Sequence, residues 1–408
     1  MSGTPDRFTH DMDRRRALAR EWDELVEQVR VIDGFEDFLR PPRLATLLPA
    51  GTDGPVVIVN ISRWRCDALV VTTSGVEVVK LPQLSQNEVV TQTQAYLDAV
   101  GARQDEPQRG SRDADLTVAG EGVEAALDSC LRWMWDAFAG PILEQLQITT
   151  VRGGRWPRIW WCPTGPLTLL PIHAAGDHSV PGEAVLDRVI SSYTPTLRAL
   201  IDARSGAAGQ AFTEQMLFVG MPETPRQPHL PNVRREEELV TRLLGGRCTA
   251  LIDEQATRDR VLAGLPDHGW AHFACHGEQN LVDPSKGGLL VHDGPLTVTD
   301  LSSQRYRGEF AYLSGCKTAV GGVNLPDEAI TLAAALHYTG YRHVIATLWS
   351  VWDDDAAQVA EDVYTAMVSD GVLHGERAAE ALHHAVRSLR AAKPGQLSVW
   401  TPFAHTGP

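Results

Sequence analysis

Trp270-Ala-His-Phe-Ala-Cys-His-Gly277 and Glu309-Phe-Ala-Tyr-Leu-Ser-Gly-Cys316 decide how this chain reads. Each is a short apolar run that halts on glycine or a turn residue, the pattern of a strand buried on both faces of a parallel sheet. Tyr341-Arg-His-Val-Ile-Ala-Thr-Leu-Trp349 repeats the pattern. His276 closes the first run and Cys316 the second. Open α/β sheets bind ligands at the carboxyl ends of their strands. A cysteine and a histidine remote in sequence but delivered to neighbouring strand ends suit thiol catalysis. The thiolate is the nucleophile, and a neighbouring imidazole lowers the thiol pKa or protonates a departing amine. Gly277 leaves the backbone after His276 unobstructed, so its N–H is free to point at a developing oxyanion beside the N–H of Cys316.

Four blocks carry a family resemblance: Ala274-Cys-His-Gly277, Leu313-Ser-Gly-Cys-Lys-Thr318, Asp327-Glu-Ala-Ile-Thr-Leu-Ala333 and Thr347-Leu-Trp-Ser-Val-Trp-Asp353. Together they resemble the CHAT domain, a group of caspase-like cysteine proteases of clan CD that is related to separase and often fused to tetratricopeptide repeats. The resemblance implies His276 as the catalytic histidine and Cys316 as the nucleophile. Two departures are small: Cys275 stands where threonine is common, and Gly315 where alanine is common. Upstream, Gly54-Pro-Val-Val-Ile-Val-Asn-Ile-Ser62 and Arg65-Cys-Asp-Ala-Leu-Val70 look like the start of the family's long form.

A 408-residue chain with 43% hydrophobic residues is large enough for two domains or one large α/β unit with an accessory half. No run approaches the roughly 18 apolar residues of a membrane span, and the N-terminus lacks the apolar core of a signal peptide. A net charge of −15 argues against nucleic-acid binding, which draws on basic patches. Six scattered cysteines without a C-x-x-C pair form no disulfide framework. These features lead us to expect a cytoplasmic protein with no cofactor, no metal, no nucleic acid and no membrane among its partners.

In chain order, residues 11–38 read as one amphipathic helix stopped by Arg40-Pro-Pro42, with Leu18, Trp22, Leu25, Val26, Val29 and Ile32 on its apolar face. Such a helix needs a surface to cover that face. No 34-residue repeat is visible. Strands are expected over 56–59, 68–72 and 76–79, helices over 87–100 and 123–146, and a buried strand over 158–162. His173, in a proline-punctuated loop, reads as structural. The small, polar stretch 202–211 is the expected boundary. The expected domains are therefore 1–44, an N-terminal helical stub; 45–208, a non-catalytic companion half; and 209–408, the catalytic half. The last alternates strand and helix, with a helix capped by Asn232, a helix started by Thr257, a long loop over 277–308, and helices over 327–339, 353–368 and 375–391. This order specifies an α/β fold with a caspase-like parallel-type sheet flanked by helices. Loops of more than about 12 to 15 residues usually carry function, and this one is expected to frame the cleft.

His272 reads as a packed neighbour of His276 on the same sheet face. Zinc held by His272, Cys275, His276 and Cys316 has the right atom types, but the spacing is wrong and alternation sends Cys275 to the other face. Asp353, Asp354 and Asp355 read both as the acidic first turn of a helix and as the acidic wall of an S1 pocket. Tyr338, Tyr341 and Trp352 are cleft or core aromatics; Trp400 and Phe403 are core plugs. The expected function is a gated cysteine endopeptidase acting on a protein substrate, with a regulatory protein partner contacting the N-terminal helix. The alternative is a catalytically silent caspase-fold interaction module in a signalling or bacterial defence assembly.

Overall fold

The computed structural model describes residues 5–36, 38–105, 114–149, 156–205, 212–278, 283–315 and 331–408. Two compact units divide the chain, Met1–Pro49 and Ala50–Pro408. In the first, a helix spans Pro5–Arg30 and ends well before the Arg40-Pro41-Pro42 that the sequence nominates as its stop. The reason is local. Arg30 folds its guanidinium back onto the Phe38 carbonyl at 2.8 Å, and Gly34 takes a φ of +88° that no α-helix contains. Leu18, Trp22 and Leu25 of this helix are exposed, whereas Val26 is buried.

The second unit is built on one sheet. An antiparallel meander opens it: β1 (Val56–Asn60), β2 (Asp67–Thr72) and β3 (Gly75–Lys80). Next to β1, and parallel to it, come β4 (Arg158–Pro163) and β5 (Ile190–Tyr193). The later strands are β6 (Met216–Gly220), β7 (Cys248–Ile252) and β8 (Trp270–Ala274). The expected long loop is folded instead: β9 (Gly277–Glu278), β10 (Gly288–Val291) and β11 (Gly294–Thr297) make a small antiparallel sheet. A helix over Val298–Ser302, closed by a capping box between Thr297 and Asp300, follows that sheet. Then come β12 (Gly308–Leu313), β13 (Tyr341–Thr347), a short ribbon of β14 (Val368–Ser369) with β15 (Val372–Leu373), and finally β16 (Phe403–Thr406).

The main sheet has 11 strands in the order β3-β2-β1-β4-β5-β16-β13-β12-β8-β6-β7. The expected boundary near 208 lies outside the described residues, and the sheet runs on past it. What joins its two parts is the last strand of the chain. β16 pairs in parallel with β5 and antiparallel with β13. Phe403, expected only as a core plug, is the first residue of that strand.

Side chains alternate across the sheet, so each face buries its own core. Phe218, Trp270, Phe310, Tyr312 and Ile345 pack on one face with the helices Val233–Leu244, Asp353–Met367 and Ala378–Ala392. Leu217, Val219, Phe273, Ala311 and Val344 pack on the other, with the helices Arg258–Gly264 and Leu332–Thr339. Thr257 caps its helix as expected, its side chain accepting from the Arg260 N–H. The helix expected over 327–339 shows its start at Thr331, which is extended and accepts from the Ala334 N–H; Asp327 lies outside the described residues.

A polar chain crosses the seam at β16. Arg158 Nη2 donates to Ser192 Oγ at 2.7 Å, and Ser192 Oγ lies 2.8 Å from His405 Nδ1. His405 Nε2 in turn lies 3.2 Å from His343 Nδ1. Arginine only donates, so the single serine hydrogen goes to His405, and the Nε2 hydrogen of His405 goes to His343. Both rings are neutral in this arrangement. Burial pushes both well below the usual histidine pKa. It likewise pushes His173 down to about 4 and His383 down to about 3.

This fixes the sign of an acid response. Below about 6.5 the unfolded chain protonates these rings while the folded protein keeps them neutral, so acid favours unfolding. Stability is expected to be full above pH 6.5 and to fall as the pH drops toward 4. Each ring contributes about 1.4 kcal/mol per unit of pH inside that window. Urea melts at pH 7.5 and 5.5, a range in which ordinary carboxylates stay ionised, should differ by several kcal/mol. Identical midpoints at the two pH values would refute the account.

Candidate active site

Four strands end together. Beyond the carboxyl ends of β6, β8, β12 and β13, a small cavity is lined by His276, Cys275, Ser314, Gly315, Asp353 and Glu236. His276 follows β8 and is 7% exposed. Its Nε2 lies 2.8 Å from the Pro228 carbonyl oxygen. A carbonyl only accepts, so Nε2 carries a hydrogen and Nδ1 is left as the basic nitrogen of the neutral ring. Burial lowers the His276 pKa, against the opposing pull of the Pro228 carbonyl and the Asp353 charge. A ring held neutral near pH 7 with its tautomer set is suited to take a proton.

Cys316 lies outside the described residues. Its predecessor Gly315 does not, and its position is informative. A Cβ built on Gly315 would come within 2.4 Å of the Cys275 carbonyl oxygen, and the Gly277 nitrogen would lie 3.5 Å from it. Only glycine fits here without moving the backbone, which accounts for the departure from the alanine that the resemblance suggests. Three contacts hold this strand end. The Ser314 N–H donates to the Phe273 carbonyl at 2.9 Å. Thr347 Oγ1 donates to the Gly315 carbonyl at 2.7 Å. Ser314 Oγ donates to Glu236 Oε1 at 3.3 Å.

Glu236 is the residue that the sequence reading passed over. It is 2% exposed, and its Oε2 lies 2.9 Å from His272 Nε2. His272 is stacked between Phe218 and Tyr312, with centroids at 4.7 and 5.2 Å and planes within 7° and 5°. Its Nδ1 lies 2.8 Å from the Tyr364 hydroxyl. Both ring nitrogens of His272 thus have a polar neighbour, the Glu236 carboxylate on one side and the Tyr364 hydroxyl on the other. Cys275 packs in the core on the opposite face, as alternation requires. Among the described residues no three His, Cys, Asp or Glu side chains gather as metal ligands would.

The three aspartates separate. Asp355 is buried and ion-paired with Lys393 at 2.6 Å, away from the cavity. Asp354 is exposed and accepts from Asn232 Nδ2 at 2.7 Å. Asp353 alone of the three lines the cavity with His276. Its Oδ2 accepts from the Asn232 backbone N–H at 2.9 Å and from its Nδ2 at 2.7 Å. Asn232 thus does not cap its own helix with its side chain; it ties the start of that helix to the start of the helix Asp353–Met367. Burial pushes the Asp353 carboxyl up and the Asn232 donors pull it down. Among the described residues, no Lys, Arg or His nitrogen lies within 4 Å of it.

The aromatics fall elsewhere. Of the expected cleft or core residues, Tyr341 is buried in the core and Tyr338 is exposed; both border a separate cavity at the other ends of β12 and β13. Trp352 is 39% exposed. His173 is structural, bridging the Tyr193 hydroxyl at 2.9 Å and the Thr401 carbonyl at 3.0 Å. No described helix is long and apolar enough to cross a membrane.

The fold has known counterparts. Saccharomyces cerevisiae separase, solved in complex with securin, superposes with a TM-score of 0.62 at 10% identity, over 89% of this chain and 30% of that one. The pro- and mature domains of Porphyromonas gingivalis RgpB give 0.46 at 11% identity, over 87% of this chain and 78% of that one. Mouse tetratricopeptide repeat protein 28 is 22% identical over 329 residues, 68% of this chain but only 13% of that protein. The chain thus spans a small part of the longer proteins it resembles. The architecture is the caspase-like α/β fold, with a large, mostly parallel sheet flanked by helices. A sequence model of the CHAT domain matches residues 128–408, more than half of the length, and the chain belongs to the CHAT domain family.

Proposed function

We propose that the protein is a gated cytoplasmic cysteine endopeptidase in which Cys316 attacks the scissile carbonyl. In this reading His276 Nδ1 takes the thiol proton and returns it to the departing amine, while water later releases the acyl group from sulfur. The N–H groups of Gly277 and Cys316 hold the oxyanion. One observation carries the reading: Gly315, bonded directly to Cys316, lies against the Cys275 carbonyl and the Gly277 nitrogen, on either side of His276. The exposed Leu18, Trp22 and Leu25 support a protein partner at the N-terminal helix as the gate.

Asp353 supports a basic P1 residue. It is a half-buried carboxylate beside the candidate base, with amide donors and no cation among the described residues. An arriving guanidinium would complete its pairing through a charge-assisted contact, whereas an acidic P1 would meet like charge. The test is a peptide library profiled at P1. Arg and Lys should lead, and Asp353→Asn should lower kcat/KM for Arg by on the order of ten- to a hundredfold. Asp355→Asn should leave the preference unchanged while lowering stability. Preference for an acidic P1, or a basic preference untouched by Asp353→Asn, would remove Asp353 from the pocket.

A further inference from the structure

The amino ends of β12 and β13 open onto a cavity of about 570 Å³, at the end of the sheet opposite His276. Protein interiors are close-packed, and a space of this size falls in the range that holds drug-sized ligands. Tyr306, Tyr338 and Tyr341 border it, the first and last buried in the core and Tyr338 exposed, and three arginines, Arg305, Arg307 and Arg342, contribute charge. That charge is notable in a chain of net −15.

The arginines are not equivalent. Arg342 is neutralised: its Nη1 donates to both oxygens of the buried Glu309, at 3.0 and 2.9 Å, and its Nε donates to the Ala203 carbonyl at 2.9 Å. Arg305 and Arg307 are exposed and, among the described residues, have no carboxylate within 4 Å. Asp202, from the helix Leu197–Ser205, is the remaining carboxylate of the lining, so the balance is one positive charge. The wall is rigid where it matters. Gly340 ends its helix with a φ of +127°, and a Cβ there would come within 2.0 Å of the Tyr306 carbonyl oxygen.

We propose that this cavity binds a small organic anion carrying a planar ring, with a nucleoside monophosphate as the representative chemistry. The ring stacks on Tyr338, the exposed tyrosine of the lining, and the phosphate is held by Arg305 and Arg307, since guanidinium groups match phosphate oxygens in a two-point contact. The site lies away from the carboxyl ends where this fold works on substrates, so its ligand is an effector rather than a substrate. The structural route between the two ends is short. β12 leads from Glu309 in the cavity to Ser314 and Gly315 just past its end, and β13 runs from Arg342 to Thr347, which donates to the Gly315 carbonyl. Binding itself rests on no catalytic assignment.

The experiment is calorimetric titration of the full chain with AMP, with adenosine and inorganic phosphate as separate arms. AMP should bind saturably, with one ligand per chain and a Kd below about 1 mM. Adenosine and phosphate should each bind at least about tenfold more weakly, because each lacks one half of the recognition. Arg307→Glu, a change at an exposed position, should weaken AMP about tenfold or more with an unchanged melting temperature. Ala203→Trp should fill the cavity and abolish binding. No saturable AMP binding, phosphate alone binding as well as AMP, adenosine binding as well as AMP, or AMP affinity unmoved by Arg307→Glu would each overturn the proposal. Should Ala203→Trp fail to fold, the Arg307 result decides.

Discussion

Replacing Cys316 by alanine is expected to lower peptide turnover by about four orders of magnitude or more, and His276→Ala to do nearly the same. The double variant should lose little beyond either single one, because a nucleophile and its base act as a unit. His276 makes this expectation specific. Its Nε2 is committed to the Pro228 carbonyl at 2.8 Å, so its basic nitrogen is already chosen, and burial keeps the ring neutral and able to accept the thiol proton. His276→Ala also leaves the Pro228 carbonyl short of a donor, a cost of about 1 kcal/mol that should not unfold the chain. The control is Cys275→Ala. That thiol is 1% exposed and packs in the core on the opposite face, so its loss should cost stability and spare turnover. An iodoacetamide labelling assay read alongside peptide cleavage checks both points. Loss of activity with Cys275→Ala, together with full turnover in Cys316→Ala, would reverse the assignment.

How far the fold was legible depended on what each stretch had to satisfy. The buried strands β8, β12 and β13 are short apolar runs closed by turn residues, and their pattern alone placed them within about three residues. β16 was not visible, since Phe403-Ala-His-Thr406 is short and follows two prolines' worth of loop-like sequence; only pairing with β5 and β13 makes it a strand. The small sheet of β9, β10 and β11 is likewise made by tertiary pairing, so its residues read as loop. The N-terminal helix reads too far in sequence because Ile32 continues the apolar period past Arg30, while the Gly34 turn that breaks it carries no such weight in a periodicity count.

The candidate site was half legible for the same kind of reason. His276 and Gly277 stand at a strand end, where position in the fold gives them meaning. The aspartates could not be told apart in sequence because helix phase and neighbouring elements separate them: Asp355 faces Lys393, and Asp353 faces Asn232 and the cavity. Glu236 did leave a signal. With Val233, Val240 and Leu244 it shares the buried stripe of its helix, and a carboxylate on such a stripe demands a partner. That partner, His272, could only be found in three dimensions.

The Glu236–His272 pair carries the second large expectation. Glu236→Ala should cost about 3 to 5 kcal/mol, because it takes the carboxylate neighbour from a fully buried imidazole and the acceptor from the hydroxyl of Ser314. The melting temperature should fall by about 5 °C. Glu236→Gln keeps an acceptor for either group and should cost less. Replacing the pair by apolar groups of similar volume, Glu236→Met with His272→Phe, should recover much of the loss, since buried ion pairs gain little net stability over well-packed hydrophobic side chains. The phenyl ring would keep the stack between Phe218 and Tyr312, while the Tyr364 hydroxyl would lose its 2.8 Å contact with Nδ1, so the recovery should be incomplete. Turnover then separates two roles. If Glu236 only stabilises the fold, the double variant should regain activity along with its melting temperature. The contact from Ser314, two residues before Cys316, argues that it also holds the strand end in place, so kcat should stay depressed in the stable double variant while KM changes little. Melting curves and steady-state kinetics on the same preparations decide it. Full activity in the double variant would confine Glu236 to stability, and an unchanged melting temperature in Glu236→Ala would show that the buried pair contributes nothing to stability.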